Sequence, residues 1–158
     1  MSHTKGKFSK ILVAIDGSEQ SMDAADYAIA MAKKEKNDVH LIAIHVFFSQ
    51  IGYAYSSDIP GLVTPSSVKE LLESARKEAQ KWFDNIKKKA DESKIRLKTE
   101  VVVSATSIVA AIVEYAESAN VNLIVISTRG RSGLKKLLLG SVASGVVTYA
   151  TCPVLVVK

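Results

Sequence analysis

The stretch of this chain with the most chemistry in it is "STRGRSGLKKLLLGS", residues 127–141, in which three glycines, three serines, a threonine and four Lys/Arg residues surround the run "LLL". It follows the apolar run "VNLIVIS" (121–127) and leads into the periodic stretch "GSVASGVVTYA" (140–150). A glycine-containing turn lets an anion approach backbone N–H groups, and Arg129 and Arg131 add positive charge on either side of Gly130. Gly140 and Ser141 stand at the start of the last periodic stretch, where the first N–H groups of a helix and its dipole favour phosphate. The first apolar run of the chain ends in "AIDGS" (14–18), which places Asp16 just past a strand. If these two strands are neighbours, Asp16 and the 127–133 turn face one crevice, and the residue types predict a cradle for a phosphorylated ligand.

Each of these residues also has a role that needs no ligand. Gly130 and Gly133 can shape a loop, Asp16 can cap the first helix alone or with Ser18, and Lys135 and Lys136 can be simply solvated. Ser141 can cap its own helix or donate its hydroxyl to a phosphate, and the two are compatible. The case for binding is the convergence of all of them on one end of a sheet.

That sheet is read from five apolar runs rich in β-branched residues, at 10–15, 39–46, 95–103, 121–127 and 153–158. Several are apolar nearly throughout, as strands buried on both faces of a parallel sheet are. Helical periodicity fills the intervals at 18–36, 66–93, 107–119 and 140–150. Ser18 and Glu19 suit the first turn of the first helix, Ser66 is the expected N-cap of the second, and Thr106 or Ser107 caps the third. On the long second helix, Val68, Leu71, Leu72, Ala75, Ala79, Trp82, Phe83 and Ile86 form an apolar face. Alternation from end to end calls for right-handed crossovers and one open parallel sheet with helices on both faces, a Rossmann-like α/β fold in a single domain spanning 1–158. Residues 1–7 read as a flexible tail, and 47–65, "FFSQIGYAYSSDIPGLVTP", as a variable loop.

Composition narrows the function classes. A net charge of +5 invites a nucleic-acid reading, but the Lys/Arg residues are scattered and the aromatic residues, 6% of the chain, do not interleave with them as a base-stacking platform requires. No apolar run approaches the ~20 residues that span a bilayer, and the N-terminus lacks a signal-peptide core, so a cytoplasmic protein is expected. The single cysteine, Cys152, reads as a small buried hydrophobe. His3 lies in the tail, His40 flanks a strand and His45 sits in a strand without an identifiable partner, so no metal site is expected from the histidines. There is no G-x-x-x-x-G-K-[ST], no G-x-G-x-x-G after the first strand, no G-x-S-x-G and no Ser/His/Asp or Cys/His set. Catalysis is not advertised.

"KILVAIDGSEQS", "HV" at 45–46, "LIVISTRGRSGLKKLLLGSV" and the closing "CPVLVVK" together resemble a universal stress protein of the UspA type, from Phe8 to Lys158. The ATP-binding subset of that family carries G-x2-G-x9-G-[ST]; Gly130, nine intervening residues, Gly140 and Ser141 fit it, and Ser127 stands where the first glycine would be. The resemblance implies the adenine nucleotide alpha hydrolase-like version of the fold with strand order 3-2-1-4-5. It also implies a homodimer, commonly through the last strand, here 153–158, which would cover an otherwise exposed apolar edge. It implies ATP as ligand, with Mg: Asp16 near the ribose or a phosphate-bound metal ion, Ala14, Ile15 and Val46 at the adenine, and Gly130, Gly140, Ser141, Val142 and Ala143 around the phosphates, with Arg129 and Arg131 beside them. Ser127 is harmless there if the position is extended and costs about 1–2 kcal/mol if it demands positive φ. The functional expectation is a nucleotide-responsive stress factor with at most slow hydrolysis. Its rivals are a nucleotide-free protein-interaction dimer and a slow ATPase. Any protein partner stays unnamed by the sequence.

Overall fold

The computed structural model of the chain describes residues 8–35, 38–49, 65–128 and 139–158. Strands β1 (Lys10–Ala14), β2 (His40–Phe48), β3 (Arg96–Ser104), β4 (Leu123–Ser127) and β5 (Val154–Val157) alternate with helices α1 (Glu19–Lys34), α2 (Pro65–Glu92), α3 (Ile108–Ser118) and α4 (Ser141–Tyr149). The strands form one sheet in the order β3-β2-β1-β4-β5, and every neighbouring pair is parallel.

Strand alternation divides the core in two. Ile11, Val13, Leu41, Ala43, Leu123 and Val125 face α1 and α2, where Ala24, Ala25, Ala28 and Phe83 meet them. Leu12, Ile42, Ile44, Ile124 and Ile126 face α3 and α4, against Ile112, Ala116, Ala143 and Val146. β1 and β4 are therefore apolar on both sides, with Ile11, Leu12, Val13, Ile124 and Val125 all fully buried. Small residues on α1 let it lie close to the sheet. On the other face, a Cβ added to Gly145 of α4 would stand 2.6 Å from a Val109 methyl of α3, so that glycine sets the distance between the two helices.

Local signals decide the boundaries. The Ser18 side chain accepts from Ser21 N at 3.1 Å and opens α1, with Glu19 in the first turn and Lys33 and Lys34 in the last. For α3 the cap falls to Ser107, whose Oγ accepts from Ala110 N at 2.9 Å. α2 begins at Pro65, so Ser66 lies inside its first turn and is not the N-cap; proline suits a first position because no partner exists there for an N–H. β2 continues to Phe48, pairing Phe47 with Val103 and Phe48 with Ser104, so these two residues belong to a strand and not to the expected loop. Residues 1–7 and 50–64 lie outside the described residues. The apolar face expected along α2 is covered only from Ala79 onward: residues 67–78 bury no side chain, and Leu71 is 53% exposed. No helix among the described residues is long and apolar enough to cross a membrane.

One polar contact ties β3 to α3: Tyr115 OH donates to Glu100 Oε2 at 2.7 Å. That hydrogen bond, helped by Lys98, holds the Glu100 carboxyl below its ordinary value. A folded-state value lowered in this way stabilises above the unfolded carboxyl value of about 4.3 and ceases to do so as pH falls through the lower folded value. Tyr115→Phe is thus expected to destabilise the protein at neutral pH and to lose its effect in acid, in urea melts of both proteins across that range. Gly145→Ala is expected to cost about 1–3 kcal/mol despite better helix propensity, because the stiff Val109 side chain cannot yield, and Val109→Ala in the same chain should recover much of it.

Candidate functional site

β1 is flanked by β2 and β4, the chain passing to one side after β1 and to the other after β4, and such a switch point opens a crevice at the carboxyl ends of the strands. Here the crevice has a step. β1 stops at Ala14, the partner of Ile44, whereas β2 runs on through Val46 to Phe48. On the other side Ser127 lies two residues past Val125, the partner of Val13. Ala14, Val46 and Ser127 thus stand on three adjacent strands around the end of β1.

Parity sorts the expected residues further. Ala14, Val46, Val142 and Ala143 share the apolar cluster on the α3–α4 face. Ile15 does not join them: its side chain is buried in the core beneath α1 and α2, so only its main chain belongs to the crevice. Ser127 is 7% exposed, within a strand, and is not among the described residues with positive φ. The serine that replaces the first glycine of the motif therefore carries no backbone strain.

The start of α4 is bound to the end of β4. Gly140 N donates to Thr128 O at 2.7 Å, and Thr128 N donates to Val157 O at 2.9 Å. Gly140 itself is the N-cap, with no side-chain cap on the helix, and Ser141 is the first helical residue and exposed. Ser141 does not cap its own helix, and Gly140 has no side chain to do so, so the cap residue itself satisfies none of the first amides of α4 through a side chain. Arg129, Gly130, Arg131, Gly133, Lys135 and Lys136 lie outside the described residues.

Asp16 follows Ile15, whose N–H still donates to Ile44 O at 2.8 Å. Its Oδ1 accepts from Ser18 N at 2.9 Å and from the Ser18 hydroxyl, and its own N–H donates to Ser21 Oγ at 3.3 Å. Asp16 and Ser18 therefore build the turn into α1 together, the structural role open to Asp16 in the sequence. No group of three or more His, Cys, Asp or Glu side chains that could hold a metal ion occurs among the described residues.

Two residues at this turn escaped sequence reasoning. His45 Nδ1 lies 2.8 Å from Ile15 O, and since a carbonyl only accepts, the proton is on Nδ1. The imidazole meets the Trp82 indole edge-on, with centroids 5.1 Å apart and planes at 81°. Strand parity held the signal: His45 shares its face with Leu41 and Ala43, toward α1 and α2.

Comparison with known proteins bears on the family and the fold. The chain is 37% identical over 151 residues to universal stress protein MJ0531 of Methanocaldococcus jannaschii, covering 96% of this chain and 82% of that one. It is 35% identical over 153 residues to universal stress protein YxiE of Bacillus subtilis, covering 96% and 99%. The solved structure of MJ0577 matches it with a TM-score of 0.79 at 29% identity over 97% of both chains. Universal stress proteins solved with cAMP (TM-score 0.64, 22% identity, 97% of this chain and 98% of that one) and, from Archaeoglobus fulgidus, with dAMP (0.63, 20%, 97% and 100%) share the fold. With the universal stress protein family model matching residues 7–158, the chain belongs to the universal stress protein family.

Proposed function

We propose that this protein is a cytoplasmic, homodimeric stress factor that binds ATP in the crevice above β1 and responds to it. The observation that carries the reading is the start of α4, where the N-cap is Gly140, which has no side chain to offer the first amides, while Thr128 O accepts from the Gly140 N–H. An anion is the natural acceptor for such amides. Ala14 and Val46, with the main chain of Ile15, suit an adenine ring, Val142 and Ala143 follow Ser141 at the phosphate end, and the relatives solved with cAMP and dAMP support an adenine nucleotide as the ligand class. Arg129, Gly130 and Arg131 complete the phosphate cradle in this reading, and Ser127 lies beneath the ribose. Asp16 fits a magnesium ion brought by the nucleotide: Mg²⁺ commonly takes one or two carboxylates plus phosphate oxygens and keeps the rest of its shell as water.

The proposed dimer forms through 153–158. β5 ends the sheet, and Val147 and Tyr149 of the neighbouring α4 are 47% and 68% exposed, an apolar surface that a second copy would cover. In this reading hydrolysis is at most slow, since the sequence offers no Ser/His/Asp or Cys/His set. The nucleotide-free interaction dimer is favoured by one feature, the Ser127 side chain where the motif has glycine.

Mass spectrometry of nucleotides released by denaturing the freshly purified protein should recover ATP in near-equimolar amount. In thermal melts, Mg-ATP at 100 times its dissociation constant should add about 2.7 kcal/mol of stability. Gly140→Val, which puts a branched side chain in the path of the phosphates, should abolish both effects. An empty protein unmoved by millimolar Mg-ATP, or undiminished ATP affinity in Gly140→Val, refutes this placement.

A further inference from the structure

The turn that carries Asp16 is held from the side of the sheet away from the cradle by residues that the nucleotide reading does not use. Ile15, Asp16 and Gly17 are consecutive, and both neighbours of Asp16 are fixed from outside the turn. Ile15 O accepts from His45 Nδ1 at 2.8 Å. Gly17 has φ +82, and a Cβ there would lie 2.2 Å from Trp82 Cζ2 and 2.4 Å from Cε2, so the indole presses directly on the glycine backbone. Trp82 and His45 touch each other edge-on at 5.1 Å, which closes a ring from Ile15 through His45 and Trp82 to Gly17.

Glycine samples φ values that other residues avoid, so a turn hinged on Gly17 has several ways to carry Asp16. The Trp82 ring removes the space those alternatives need, and the His45 bond fixes the carbonyl on the other side of Asp16, one residue past the end of β1. Inside the turn, the Ser18 N–H to Asp16 Oδ1 bond at 2.9 Å depends on that conformation. Ordering a site before its ligand arrives removes an entropic cost from binding. We propose that Trp82 and His45 are positioning residues that preorganise Asp16, making the middle of α2 a determinant of nucleotide affinity. The affinity clause rests on the nucleotide reading above; the ordering of the turn does not.

The test pairs amide hydrogen exchange of the ligand-free protein with calorimetric titration of Mg-ATP, on wild type, Trp82→Leu, Trp82→Phe, His45→Phe and the control Ile86→Val, which trims a buried α2 residue one turn beyond Trp82. Trp82→Leu and His45→Phe are expected to speed exchange of the Ser18 amide by about tenfold or more while α3 amides stay protected, which a general loss of stability would not do. Both should weaken Mg-ATP binding by a similar factor. Trp82→Phe, which keeps a flat ring against Gly17, should recover most of each effect, and Ile86→Val should move neither selectively. If Trp82→Leu does not fold, His45→Phe against Ile86→Val makes the same comparison. Unchanged Ser18 protection, or lost protection with undiminished Mg-ATP affinity, overturns the proposal. A wild-type protein that does not bind Mg-ATP refutes the nucleotide reading instead, and the exchange measurement still decides whether Trp82 and His45 order the turn.

Discussion

The candidate site depends on β1 being hemmed in by strands that outrun it. Its residues are buried on both faces, so the sheet cannot spare it, and its two neighbours are parallel, so all three point their carboxyl ends the same way. When β1 stops at Ala14 and the others continue, the space above its last residue has walls on both sides and a floor of main chain. The stop follows from local chemistry. Asp16 draws the Ser18 amide back onto its carboxylate, Gly17 turns at positive φ, and Ser18 begins the next helix by accepting from Ser21 N. A short polar tripeptide thereby converts a buried strand into the rim of a crevice.

The α4 side completes the crevice by a different means. Thr128 accepts from Gly140 and donates to Val157, so the residue after β4 is stitched both to the start of α4 and to the edge strand. Thr128 and Gly140 are joined by a main-chain bond that no side-chain change short of proline removes. The sequence between them can therefore vary without moving these two anchors.

Much of this was legible beforehand, because the signals were local. Five β-branched runs alternating with helical periods gave the sheet, and the adjacency of β1 and β4 puts Asp16 at the same end of it as Ser127, Thr128 and Gly140. Strand order itself came from resemblance, since periodicity carries no information about which strands are neighbours. What stayed hidden needed the third dimension. Phe47 and Phe48 read as loop because their strand identity comes from pairing with β3, and Ser66 read as a cap because the preceding Pro65 gave no sign of being helical. Ile15 was grouped with Ala14 although pleating sends the two side chains to opposite cores. His45 and Trp82 are 37 residues apart in sequence, and nothing short-range announces that they meet over a glycine.

The pleat that separates those cores has an evolutionary consequence. Residues of the crevice wall, Ala14, Val46, Val142 and Ala143, lie on one side of the sheet, and Trp82, His45 and Gly17 lie on the other. A substitution in the wall changes the shape offered to a ligand without disturbing the packing that orders Asp16. A substitution around Trp82 alters that order without reshaping the wall. Under the proposed nucleotide reading, the fold thus gives lineages two nearly independent dials on one crevice, one for what enters it and one for how firmly it is held.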